Sequence, residues 1–206
     1  MSGNLFVVSA PSGAGKTSLV NALLKINKNI DLSVSYTSRA ARPGEIDGKH
    51  YHFVSRDTFL QMIEHGDFVE SAEVYGNLYG TSQSWIGKEM QAGRDILLEI
   101  DWQGAAQVRE KFPDCISIFI LPPSLQALET RLTGRNQDSA EVIAKRLHSS
   151  QEDIAHVVEF DYVIINDILD EALLQLNSIV IAMGLRRERQ LARQVTLINQ
   201  LQQQEK

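Results

Sequence analysis

The stretch VVSAPSGAGKTSLV, residues 7–20, constrains this chain more than any other. An apolar run enters a turn holding Gly13 and Gly15, and the turn enters a helix-forming segment. That order lets backbone N–H groups from Ser12 to Thr17 converge at a helix N-terminus, where an anion is favoured. Glycines permit the unusual dihedrals and the close approach such a turn needs. Lys16 supplies a cation for nucleotide β- and γ-phosphates, and Thr17 a hydroxyl for Mg2+. Ala10 stands where the pattern G-x-x-x-x-G-K-[ST] begins with glycine. It closes the strand, and a methyl on extended backbone carries no penalty. The substitution is therefore not expected to abolish phosphate binding.

The rest of the chain supports an alternating β/α order. Apolar runs at 5–10, 96–100, 115–121 and 162–166 read as buried strands, and LSVS at 32–35 as a shorter one beside them. Continuous rather than alternating hydrophobicity indicates a parallel sheet covered on both faces. Val20, Leu23 and Leu24 follow helical spacing after the glycine loop, as do Leu125, Leu128 and Leu132 after Pro122 and Pro123. The expected fold is a three-layer α/β fold of the P-loop nucleoside-triphosphate hydrolase type.

Two segments interrupt that order. Residues 36–93 carry turn signals at Pro43-Gly44 and Asp47-Gly48, an alternating Tyr51–Phe53 pair, and a short helix pattern at Phe59, Met62 and Ile63 ended by Gly66. They read as a small α+β insertion. Residues 131–159 are polar and arginine-rich, with Asp138 and Glu141 giving a helix start, and read as a lid. The core is then 1–35, 94–130 and 160–206.

Charge and cysteine content narrow the function. The formal charge of −6, from 20 basic and 26 acidic residues, argues against a general nucleic-acid binder. No apolar run is long enough for a membrane span, and the N-terminal segment lacks the basic flank of a signal peptide. Cys115 is the one cysteine, which suits the cytoplasm and reads as a buried strand thiol. The five histidines lack metal-ligand spacing and read as structural or exposed. The loop alone does not choose between ATPase, GTPase and kinase. A GTPase would carry an N-K-x-D guanine reader; NKNI at 27–30 ends in Ile30 and comes too early, so that reading is set aside.

SAPSGAGKTSL, SVSYTSRAARPGEIDGKHYHFV, VESAEVYGNLYGTS and LEIDWQGA together resemble guanylate kinases, over residues 4–185. TSRAARPGE and YGNLYGT carry most of that specificity. Alanine before P-S-G-A-G-K also looks normal for this family. The resemblance implies transfer of a phosphoryl group from ATP, with Mg2+, to GMP or dGMP. It implies an ATP site of Ala10, Pro11, Ser12, Gly13, Ala14, Gly15, Lys16 and Thr17, with Arg131 and Asn166. For the GMP phosphate it implies Arg39, Arg42, Tyr51 and Tyr79, and for guanine Glu70, Asp101, Ser35 and Thr81. Catalysis would rest on Lys16, Arg39, Arg135 and Arg146, and Mg2+ on Thr17 and Glu99. The acceptor is a phosphate oxygen already ionised at neutral pH, so no general base is needed. Two positions depart from the family pattern: Glu99 where aspartate is expected and Asn136 where glycine is.

Two other readings stand beside this one. Some scaffold proteins carry a non-catalytic guanylate-kinase-like module, but their phosphate loops tend to be degraded, and here Lys16 and Thr17 are kept. A kinase for another nucleoside monophosphate would have little use for Glu70 and Asp101. Leu191, Val195, Ile198 and Leu201 form an apolar stripe near the C-terminus. It reads as an extension packing on its own domain, with a homo-oligomer seam as the alternative. Arg186, Arg187 and Arg189 read as solvated.

Overall fold

A computed structural model describes residues 3–74, 76–134 and 140–203. The first half runs β1 (Leu5–Ser9), α1 (Lys16–Ile26), β2 (Ile30–Leu32), β3 (Tyr36–Thr37), β4 (His52–Phe53), α2 (Arg56–Glu64), β5 (Phe68–Val74), β6 (Asn77–Ser82) and α3 (Gln83–Gln91). The second half runs β7 (Asp95–Glu99), α4 (Trp102–Lys111), β8 (Ile116–Leu121), α5 (Leu125–Thr133), α6 (Ala140–Ala155), β9 (Tyr162–Ile165), α7 (Leu169–Gly184), α8 (Arg187–Arg193) and α9 (Val195–Gln203). A 3-10 turn, His156–Glu159, joins α6 to β9.

The expected parallel sheet forms in the order β2-β7-β1-β8-β9. Its central strand β1 is buried on both faces because successive side chains alternate between them. Phe6 and Val8 join Leu19, Val20 and Leu23 of α1 and Leu176 and Val180 of α7. Leu5 and Val7 join Ile86 of α3 and Ala105 and Val108 of α4. Two helical layers thus enclose one sheet. The chain moves to one side of β1 through β2 and β7, then crosses to β8 on the other. The crevice above the C-terminal end of β1 lies at that switch point, where open α/β sheets bind ligands.

Residues 36–82 build a second sheet, β4-β3-β6-β5, with its own small core of Phe59, Phe68 and Leu78. Ser55 caps α2 through the Thr58 N–H, and Gly66, at φ 72°, ends the segment as its sequence signals.

Four expectations need correction. The strand placed at 32–35 is β2, Ile30–Leu32; Ser33 still donates to the Leu97 carbonyl, after which the chain leaves for the second sheet. β9 is an edge strand, so Val163 and Ile165 stay about half exposed and are not covered on both faces. The C-terminal stripe is mostly uncovered: Leu191, Val195 and Leu201 are 50–60% exposed, and Ile198 alone of the four is partly buried. Arg189 is not solvated; it meets the buried Asp95 carboxylate at 2.7 Å and ties α8 to the foot of β7. Cys115 is buried as expected, and burial pushes its thiol up to about 11. Among the described residues no helix is long and apolar enough to cross a membrane.

Candidate active site

Gly13 and Gly15 adopt φ 92° and 91°, a left-handed conformation that side chains resist. Gly15 is the residue from which α1 starts. It is also a point of close approach, because a Cβ there would stand 2.4 Å from the Asn166 amide nitrogen. Asn166 is buried at the end of β9 and donates that amide to the Ala14 carbonyl at 2.8 Å. Arg131 of α5 donates to the Asn166 carbonyl at 2.9 Å and to Ala14 O at 3.4 Å. Arg131 and Asn166, the two residues expected near ATP, both hydrogen-bond the Ala14 carbonyl of the loop. They also line a cleft of about 370 Å³ with Ser18 and Asp167.

In front of the loop lies a cavity of about 440 Å³. Ala10, Pro11, Ser12, Gly13, Lys16 and Thr17 form its floor, and Asp101, Trp102 and the α6 residues Ser149 and Asp153 its wall. Lys16 donates to the Ile100 carbonyl at 2.8 Å, so its ammonium is parked at the end of β7. The Thr17 hydroxyl donates to the Glu99 carboxylate. Two hard oxygens at a phosphate loop suit Mg2+, which keeps several waters and takes few protein ligands. Among the described residues no group of three His, Cys, Asp or Glu side chains could hold a metal by itself. Glu99, the longer acid, reaches Thr17 despite its departure from the expected aspartate.

A second cavity, of about 200 Å³, opens beside the first. Ser35, Tyr51, Glu70, Tyr79 and Asp101 line it, and Lys16, Val74 and Asp101 belong to both cavities. Glu70 and Thr81 are cross-strand partners on β5 and β6, and the Thr81 hydroxyl donates to Glu70 Oε1. Thr81 Oγ1 also lies 3.2 Å from Ser35 Oγ. An irregularity in pairing makes Val69 an extra residue just before Glu70, a device that re-aims a side chain. Glu70 is 3% exposed, and its carboxyl is raised to about 7. Burial is the main cause; Thr81 opposes it, and the Asp101 charge adds to it.

Asp101 caps α4 by accepting the Gly104 N–H at Oδ1, 2.8 Å away. Gly104 was not foreseen as a site residue, yet a Cβ there would stand 2.8 Å from Glu70 Oε2 and 3.4 Å from Asp101 Oδ1. The two carboxylates converge over a missing side chain. A glycine inside a helix pattern is the signal that marks such a place.

Arg39 lies behind Tyr51, its guanidinium 5.6 Å from that ring's centroid. Glu45 grips it at both ends, with Nη1 to Oε2 at 3.0 Å and Nη2 to Oε1 at 2.8 Å. Glu45 Oε2 also accepts the Arg42 N–H at 2.6 Å. The Arg39 hydrogen bonds hold the Glu45 carboxyl down at about 2. Glu45 was missed as a site residue, although it ends the specific TSRAARPGE segment. The Arg42 side chain is exposed, and the rings of Tyr51 and Tyr79 meet edge to face at 5.8 Å. Arg146 is half-buried on α6, while Arg135, Asn136 and Asp138 lie outside the described residues.

The family model for guanylate kinase matches residues 2–183. The chain belongs to the guanylate kinase family. It is 59% identical to a guanylate kinase of Thiobacillus denitrificans over 198 residues, covering 96% of this chain and 95% of that one. It is 57% identical to one from Methylobacillus flagellatus, covering 98% of this chain and all of the relative. The crystal structure of guanylate kinase from Anaplasma phagocytophilum superposes with a TM-score of 0.76 at 36% identity, over 91% of this chain and 89% of that one. Guanylate kinases phosphorylate GMP at the expense of ATP, and this chain is such a phosphotransferase.

Proposed function

We propose a division of labour for this transfer, carried by one observation: the two cavities meet at Lys16 and Asp101. The larger takes the triphosphate of ATP on the backbone N–H groups of residues 12–17. The smaller takes GMP, with Glu70 and Asp101 accepting from guanine N1–H and the 2-amino group. Thr81 holds Glu70 in place, and Ser35 in turn meets the Thr81 hydroxyl. Arg39 and Arg42, with the hydroxyls of Tyr51 and Tyr79, bind the GMP phosphate. Glu45 pre-orients Arg39, which lowers the ordering cost of a fork-shaped contact.

In the reaction a GMP phosphate oxygen forms a bond to the γ-phosphorus. The bond from that phosphorus to the β–γ bridging oxygen breaks, and ADP leaves. No proton moves, so the chain's task is positioning and neutralisation. Lys16 swings from the Ile100 carbonyl to the phosphates. Thr17 and Glu99 would hold Mg2+, Glu99 partly through water, and the ion supplies positive charge to the β- and γ-oxygens when bound. Arg146 on α6 adds a cation as the lid, residues 131–159, and the insertion, residues 36–93, close over the core and exclude water. We assign the reaction to the cytoplasm, in keeping with the lone thiol of Cys115.

The phosphate clamp has a direct test. Arg39→Ala should weaken GMP by about 10- to 100-fold, from loss of charge-assisted bonds, while ATP affinity moves less than about 2-fold. Calorimetric titration of each nucleotide reads both numbers. Equal losses for GMP and ATP would assign Arg39 elsewhere.

A further inference from the structure

Trp102 follows Asp101 directly and opens α4. Its indole stacks on the His156 imidazole, with centroids 3.4 Å apart and planes 9° apart. His156 opens the 3-10 turn at the root of α6. Its Nδ1 lies 2.6 Å from Glu159 Oε1, and Glu159 Oε2 accepts from Arg109 Nη2 at 2.7 Å. Arg109 is seven residues after Trp102, two turns along the same face of α4. The same guanidinium lies over the Phe160 ring at 4.9 Å. The root of α6 is therefore fastened to α4 at two points, one aromatic and one ionic. One turn further into α6, Asp153 lies close enough to Trp102, Asp101 and Lys16 to feel all three. It lines the loop cavity with them.

We infer that the Trp102–His156 stack is a positioning contact that couples the two substrates: it fixes the pivot of the α6 segment to the backbone that carries Asp101. The inference rests on the reading of Asp101 as a guanine ligand. GMP drawing on Asp101 orders the start of α4, and with it the indole. The ordered indole holds the α6 root, so that its Ser149 and Asp153 wall faces the phosphate loop. Ser150 already reaches the Ser12 carbonyl at 3.4 Å from the same turn of helix. Trp102 and His156 need not touch either nucleotide for this, because coupling requires only an element that both sites bias. Linkage makes the effect reciprocal, so an ATP analogue must tighten GMP by the factor with which GMP tightens the analogue.

The alternative is that the stack is mere packing, which would change stability and leave coupling alone. Calorimetry distinguishes them. GMP affinity is measured with and without saturating non-hydrolysable ATP analogue, in the native chain, His156→Ala, Trp102→Leu and Trp102→Phe. Native coupling of about 5-fold or more is expected, falling toward one in His156→Ala and in Trp102→Leu. Trp102→Phe, which keeps an aromatic face, should retain most of it. The His156 side chain is 27% exposed and is a smaller ring to lose than the indole, so its variant keeps the test alive if Trp102→Leu does not fold. A native factor near one, or a factor unchanged in His156→Ala, overturns the inference. Asp101→Asn is titrated with GMP alone: an unchanged affinity there removes Asp101 from the guanine site, a failure separate from that of the stack.

Discussion

Under the proposed division of labour, the two halves of the site recognise phosphate and base by different means. On the ATP side the binding surface is backbone. Gly13 and Gly15 supply left-handed turns, and the amide of Asn166 holds the Ala14 carbonyl from behind. On the GMP side the surface is side chain on side chain. Arg39 is aimed by Glu45, Glu70 by Thr81, and Asp101 by the Gly104 N–H. A backbone cradle suits a ligand group common to every nucleotide. Telling guanine from adenine requires acceptors at chosen points, a role we propose for the buried Glu70 and the half-buried Asp101 carboxylates. The raised carboxyl of Glu70 shows that this choice works against stability.

Removing the cation of the backbone side should have the largest effect. Lys16→Ala should cut kcat by about 10²-fold or more, as loss of a charge facing the transition state does, with the circular dichroism of the fold unchanged. Near-native turnover would mean that the loop backbone alone carries the transfer.

A smaller effect sharpens the other side. The Glu70 carboxyl sits at about 7 in the fold, above its ordinary unfolded value of 4.5. The folded state therefore holds an extra proton between those limits. The stability linked to it is fully present below about pH 4.5 and is lost as pH rises through about 7. The loss is on the order of 3 kcal/mol by pH 8. Glu70→Gln has no such proton, so its melting temperature should exceed the native value by roughly 6–12 °C at pH 8. The gain should vanish near about pH 4. Melting curves at the two pH values read it, and a gain that is equal at both would assign the effect to packing.

The same contrast explains what the sequence made legible. Backbone cradles leave a compact pattern, so the loop from Ala10 to Thr17 and the strands of the parallel sheet could be read from residues close together. β2 was placed two residues late because Val34 and Ser35 look like strand but belong to the crossing into the second sheet. Side-chain relays leave no local pattern. Arg39, Glu70 and Asp101 came from family resemblance, whereas Glu45 and Gly104 were missed because their task is to place another side chain. Arg189 looked like one of three surface arginines because its partner, Asp95, is distant in sequence and adjacent only in the fold.

The most direct test of guanine reading by Glu70 is the ratio of kcat/KM for GMP to that for AMP, in the native enzyme and in Glu70→Gln. The substitution turns one acceptor into a donor with almost no change in volume. It leaves Arg39, Glu45 and the phosphate loop untouched. A buried charge-assisted bond is worth about 1.5–3 kcal/mol, so the ratio should fall by roughly 10- to 100-fold, with GMP losing and AMP holding or gaining. A ratio that stays at its native value would contradict it, and base selection would then have to lie outside the carboxylate pair over Gly104.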